Sequence, residues 1–120
     1  GNVFLNNTVA SNWAMSTSAA GIICSGGETI VNSIVHGNVG SGQYGLCSIT
    51  YSNVQGGAPG TGNIDVAPDF VDVAAGNFSL KTTSACIDKG AQVSGLSSID
   101  ITGGARVKGG KVDLGAYEVK

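Results

Sequence analysis

The sequence predicts an all-β fold, a right-handed parallel β-helix (a solenoid) of about three coils closed by a C-terminal β cap, and three observations carry that expectation. A short grammar recurs: TIVNSIVHGN at Thr29–Asn38 returns as SITYSNVQGG at Ser48–Gly57, and more faintly as FLNNTVASN at Phe4–Asn12. Aligning Asn6 with Asn32, and Asn32 with Tyr51, gives offsets of 26 and 19 residues, the size of one supersecondary unit stacked on the next. Twenty glycines beside only 12% charged residues and a mean hydropathy of +0.20 describe a folded, turn-rich β chain rather than a disordered one.

Taken in order, Val3 to Val9 opens with β-favouring residues, and Ala10 to Ala20 loosens into small residues that suit a loop or one helical turn. Gly21 to Cys24 reads as a short apolar strand, Ser25 to Glu28 as a turn at Gly26-Gly27, and Thr29 to Val35 as another strand. Gly37 to Gly45 is a turn region, and Leu46 to Val54 a strand pair. Equivalent side chains in stacked coils lie about 4.8 Å apart, so Ile30, Ile34 and Val35 are expected to meet Ile49 and Val54 in apolar ladders. Asn32 and Asn38 are expected at corners, where an amide tolerates positive φ and can bond a neighbouring backbone group.

Gly56 to Gly62 is the clearest break, and it divides residues 1–62, the coils, from residues 63–120, a closing segment of the same domain. Residues 1–64 hold one charged side chain, Glu28, whereas 65–120 hold the other seven acids and all six Lys and Arg. A polar cap on the open end of a solenoid is what that asymmetry suggests.

Three cysteines are too few and too far apart for a disulfide-stapled miniprotein or a zinc knuckle. Cys24 and Cys47 lie 23 residues apart, about one unit, and are expected as small buried free thiols, the alternative being a bridge between them. A net charge of −2 without a Lys/Arg cluster excludes nucleic acid as a partner. No apolar run approaches the roughly 18 residues of a membrane span, which excludes insertion as a helix. Gly1 opens the chain without an initiator Met or a signal peptide, as expected for a piece of a longer protein.

The runs NSIVHGN (32–38), ITYSNVQGGAPGTGNIDVAPDFVD (49–72), GNFSLKTTSACIDKGA (76–91) and DITGGARVKGGKVDLGAYE (100–118) resemble, in order and wording, the C-terminal part of bacterial right-handed parallel β-helix proteins of the choice-of-anchor Q type. That group overlaps the polymorphic outer-membrane-protein-like and pectin-lyase-like repeat proteins. The likeness implies an extracellular or cell-surface chain that is structural or adhesive and meets a glycan or another surface ligand. His36 stands where such proteins often carry Trp, and no sorting signal is visible up to Lys120.

Pectin-lyase-like relatives include polysaccharide lyases and hydrolases, whose chemistry needs paired carboxylates or a base with a metal. Residues 1–64 offer only Glu28 and His36, so the chain is expected to be non-catalytic, with no catalytic, cofactor-binding or metal residues and no cofactor. The alternative is a carbohydrate-binding or carbohydrate-active fragment, with Trp13, Tyr44 and Tyr51 as a sugar platform; packing under loops is the expected role of these aromatics. Asp65, Asp69 and Asp72 could hold Ca²⁺ but are expected to cap turns, since their spacing does not match an EF-hand. Arg106, among Asp88, Asp100, Asp113 and Glu118, is expected to make a bidentate pair with Asp113 or Glu118. His36, the only histidine, is expected on an exposed corner. Gly40–Gly45 spells GxGxxG with Asp65 twenty residues on, but the following LCSITYSNV cannot form the helix a dinucleotide site needs, and GGK at Lys111 lacks the Ser or Thr of a phosphate loop. Beginning within a solenoid leaves the first coil's cross-section open, and an end-to-end homodimer, or aggregation at high concentration, is expected unless Gly1–Ala20 folds over it.

Overall fold

The structure, a computed structural model, describes residues 1–15 and 17–119. Ser16, within the expected Ala10–Ala20 loop, and Lys120 lie outside the described residues. The described residues form an all-β chain of short strands without helix, most of them in parallel sheets.

Three parallel sheets are built from the recurring segments. β1 (Val3–Leu5), β4 (Thr29–Val31) and β7 (Ser48–Thr50) form the first; β2 (Thr8–Ala10), β5 (Ile34–His36) and β8 (Asn53–Val54) the second; β3 (Ile22–Ile23) and β6 (Tyr44–Gly45) the third. The registers reproduce the offsets legible in the sequence: Phe4 pairs with Ile30 and Val9 with Val35, 26 apart, while Ile30 pairs with Ile49 and Val35 with Val54, 19 apart. An additional parallel bridge joins Trp13 to Val39.

Left-handed residues divide the recurring runs: Thr29–Val35, expected as one strand, is broken at Asn32, and Leu46–Val54 is the strand pair expected of it, divided at Tyr51. Asn6, Asn32 and Tyr51, the three positions aligned on sequence, have φ of 52°, 53° and 47°. Ser11, Gly37 and Gly56 make a second such column, with φ of 58°, 70° and 85°. Strands of two or three residues cannot persist alone, so the corners and the stacking of neighbours hold them together.

Two apolar clusters result. Cys24, Ile30, Val35, Ile49 and Val54 pack between the sheets, with Val9, Ile22, Tyr44 and Cys47 against them. Ile34 departs from the expected ladder: its register partner is Asn53, and its fully buried side chain belongs to a second cluster with Leu80, Cys86 and Leu114. Alternation across a strand accounts for this, because neighbours Ile34 and Val35 must face opposite sides.

The end of the stack beyond β7 and β8 is covered by the turn-rich break itself. Tyr51 N–H donates to Thr61 O and Val54 N–H to Ile64 O, and Asn63 Nδ2 donates to Ile49 O at 2.8 Å. The charged C-terminal segment, expected to close that end, instead lies along the flank that carries the asparagine corners. It contains two antiparallel hairpins, β9 (Phe70–Asp72) with β10 (Asn77–Leu80) and β11 (Val107–Lys108) with β12 (Lys111–Val112). Phe70 and Phe78 meet edge-on at 5.3 Å, and Gly109-Gly110, both at positive φ, turn the second hairpin.

Candidate functional site

The densest polar chemistry lies where the C-terminal segment meets this flank. Asn32, fully buried, donates from Nδ2 to Ala91 O at 2.8 Å and accepts at Oδ1 from Ala91 N–H at 2.7 Å, while its own carbonyl accepts from Gly115 N–H. Asn6 Nδ2 donates to Asp113 O, Thr8 Oγ1 accepts from Ala116 N–H, and Asn53 Nδ2 donates to Cys86 Sγ. Each of the three recurring segments therefore contributes a side chain to the same seam. Cys86 is the free cysteine, and burial pushes its thiol up in pKa.

Within that segment four charged residues are buried: Asp100, Arg106, Asp113 and Glu118. The expected bidentate arginine pair is not what forms. Arg106 donates to Gly115 O at 3.1 Å and Ala116 O at 3.0 Å, and only approaches Glu118, at 4.0 Å. The carboxylates are occupied elsewhere, Asp113 by the N–H groups of Asp88 and Val119, Glu118 by those of Lys108 and Asp113. In this arrangement acids satisfy buried backbone donors and the guanidinium satisfies buried backbone acceptors. Asp88 itself is exposed.

Titration follows from the same contacts. Burial raises the pKa of Asp113, and the N–H bonds from Val119 and Asp88 only partly offset it. Burial likewise raises Glu118, opposed by the Asp113 N–H and reinforced by the Asp113 charge. Burial pushes Asp100 the same way, but the Thr102 hydroxyl and the N–H groups of Glu118, Thr102 and Gly104 overrule it and bring it down to about 2. These groups are spent on holding the backbone.

On the side of the parallel sheets, the expectation of two free thiols is corrected: Cys24 and Cys47 form a disulfide, with Cα atoms 5.1 Å apart. The register explains it. Ile22 pairs with Tyr44, so residue 46 would face Cys24, but Leu46 adopts φ 59° and is largely exposed, and both cysteines pack on the inner cluster. Beside the disulfide opens a notch of about 230 Å³ lined by Asn2, Phe4, Ile22, Ile23, Cys24, Ser25 and Glu28. The Ser25 hydroxyl holds the Glu28 carboxylate below its usual range, with the Gly26 N–H also donating to it.

His36 is not an exposed corner; it is the half-buried last residue of β5, and the corner is Gly37. Burial lowers its pKa against the pull of Asp65. Trp13 is 68% exposed, whereas Tyr44 and Tyr51 are half-buried, Tyr44 against the inner cluster and Tyr51 against Gly62. Asp65, Asp69 and Asp72 each serve a separate turn or pair: Asp65 accepts from Gly56 N–H, Asp69 from the Thr83 hydroxyl with Lys81 at 3.4 Å, and Asp72 from Ala75 N–H. Among the described residues no group of three His, Cys, Asp or Glu is placed to hold a metal. The GxGxxG run leads into β6 and β7, with no helix after it.

Compared with protein-family models, with curated proteins and with solved structures, the chain gives no match.

Proposed function

We propose that this chain is a right-handed parallel β-helix module, the C-terminal part of an extracellular bacterial repeat protein, with a structural or adhesive role rather than a catalytic one. The observation that carries the reading is that two of the three parallel sheets share one pair of offsets, while the third, β3 with β6, steps by 22 from Ile22 to Tyr44. Phe4–Ile30, Val9–Val35 and Trp13–Val39 all step by 26 residues, and Ile30–Ile49 and Val35–Val54 by 19. Successive turns of chain stacked one on another produce that pattern, and parallel crossovers are right-handed in about 98% of cases. The Cys24–Cys47 disulfide is in keeping with an oxidising, extracellular setting.

A glycan or cell-surface ligand is the partner that fits an adhesive module, and the exposed Trp13 supports the second reading, a carbohydrate-binding fragment. Binding to an array of plant, algal and bacterial glycans, with and without Ca²⁺, separates the two. Absence of saturable binding is the outcome expected of a structural module. Selective binding that Trp13→Ala abolishes would replace that reading with the carbohydrate-directed one.

A further inference from the structure

Asn-x-Ser/Thr, the acceptor pattern for N-linked sugar, is spelled twice in the chain, as Asn6-Asn7-Thr8 and as Asn77-Phe78-Ser79. The pattern alone does not make an acceptor. A sugar transferase must reach the asparagine Nδ2 from solvent, so that nitrogen has to be exposed and without an acceptor inside the protein. By this requirement the fold separates the two triplets.

Asn6 is already committed. It is a buried corner residue at φ 52°, its Nδ2 donates to Asp113 O at 3.0 Å, and the Thr8 hydroxyl oxygen accepts from Ala116 N–H at 2.9 Å. Both polar side chains of that triplet hold the seam with the C-terminal segment.

Asn77 is placed the opposite way. It is the first residue of β10, directly after Gly76 at φ 73°, and every residue from Val71 to Asn77 is exposed. The middle residue of its triplet, Phe78, is held edge-on against Phe70 at 5.3 Å, and Leu80 is buried in the second apolar cluster. Those anchors fix the strand, while Asn77 Oδ1 accepts from both the N–H of Ser79, at 3.2 Å, and its hydroxyl, at 2.5 Å. Both bonds end on the oxygen, so the amide is held in one orientation, and among the described residues nothing accepts from its Nδ2.

We infer that Asn77 is an acceptor for N-linked glycosylation, its Nδ2 taking a sugar from a glycosyl diphosphate, nucleotide-linked or lipid-linked. The bond from Nδ2 to the sugar C1 forms as the bond from C1 to the phosphate oxygen breaks. The diphosphate leaves with that electron pair, one Nδ2 proton passes to a base of the transferase, and nothing is oxidised or reduced. The inference rests on the extracellular setting proposed above, where a surface sugar serves solubility. A sugar at this position stands beside Val71 and Val73, 44% and 49% exposed, which flank Asp72, the register partner of Asn77.

The test offers the folded, unreduced 120-residue chain to two transferases. One reaction supplies UDP-glucose with a soluble N-glycosyltransferase, the other a lipid-linked oligosaccharide with a membrane oligosaccharyltransferase, and both are read by intact mass and peptide mapping. The expected result is a single addition per chain, at Asn77, in at least one reaction, and the mass added tells which donor class serves it. Asn77→Gln and Ser79→Ala should each abolish the addition with an unchanged far-UV spectrum, Ser79→Thr should retain it, and Asn6 should stay unmodified. A chain left bare in both reactions, while a control protein with an exposed Asn-x-Thr is modified, would overturn the inference. So would sugar at Asn6 to the same extent as at Asn77, or an addition that survives Asn77→Gln. Because purified chain is the substrate, failure here leaves the extracellular reading standing; that reading fails separately, if the native protein is found only inside its cells.

Discussion

Asn32 shows how much one side chain can carry here. It occupies a left-handed backbone position and is fully buried, and both ends of its amide are used on Ala91. Removing the amide leaves the N–H and C=O of half-buried Ala91 without these partners, and a Cβ-bearing residue without the amide is strained at φ 53°. Asn32→Ala is therefore expected to cost about 2–4 kcal/mol, read as a fall in the urea midpoint. Asn32→Gly keeps the hydrogen-bond loss but removes the strain, so it should be milder by about 1 kcal/mol; equal losses would mean the corner is unstrained. The role of Asn32 as a corner was legible in the sequence, because asparagine between two β-branched runs has few other uses. Its partner was not, since Ala91 lies 59 residues away and nothing in its neighbourhood marks it.

Among elements, the recurring strands were legible because stacking repeats the same residue types at fixed offsets, and Phe4, Ile30 and Ile49 follow one another in the register that the alignment gives. The length of one was not: Thr29–Val35 reads as a single β run, yet Asn32 at φ 53° divides it into β4 and β5, whereas Leu46–Val54 is the strand pair expected. The disulfide between Cys24 and Cys47, only the alternative on sequence, turns on a related feature: a single left-handed residue, Leu46, decides which side chain faces Cys24. It ties the segment carrying β3 to the one carrying β6 and closes a separation of 23 residues. In the chain-entropy account that constraint is worth about 3 kcal/mol. Cys24→Ser with Cys47→Ser should lower the denaturation free energy by that amount. Alkylation of the unfolded, unreduced protein should label Cys86 alone, with Cys24 and Cys47 reacting only after reduction; three labels without reduction would show that the bridge does not form.

At the scale of the whole molecule, the charge asymmetry marked residues 65–120 as a differently built region, yet not where it lies. The radius of gyration is 13.4 Å, close to the roughly 13.6 Å of a compact chain of this length, because the segment folds back along the flank. That seam buries acids whose titrations pull in opposite directions. Asp113 and Glu118 have raised folded pKa values, so the fold takes up protons before the unfolded chain does, and stability should rise as pH falls from neutrality toward their ordinary values of 3.8 and 4.5. Asp100 is depressed from 3.8 to about 2, so what it contributes is present above its ordinary value and is lost as pH falls from there through about 2. The expected profile of urea midpoint against pH therefore has its maximum on the acid side of neutrality, then a steep fall. Asp100→Asn should cost about 1–2 kcal/mol at pH 7 and flatten the acid limb while leaving the rise above it. A midpoint that falls steadily from pH 7 to 5 would show that Asp113 and Glu118 are stabilised as carboxylates, with Arg106 then acting as their counter-charge despite its 4.0 Å separation from Glu118.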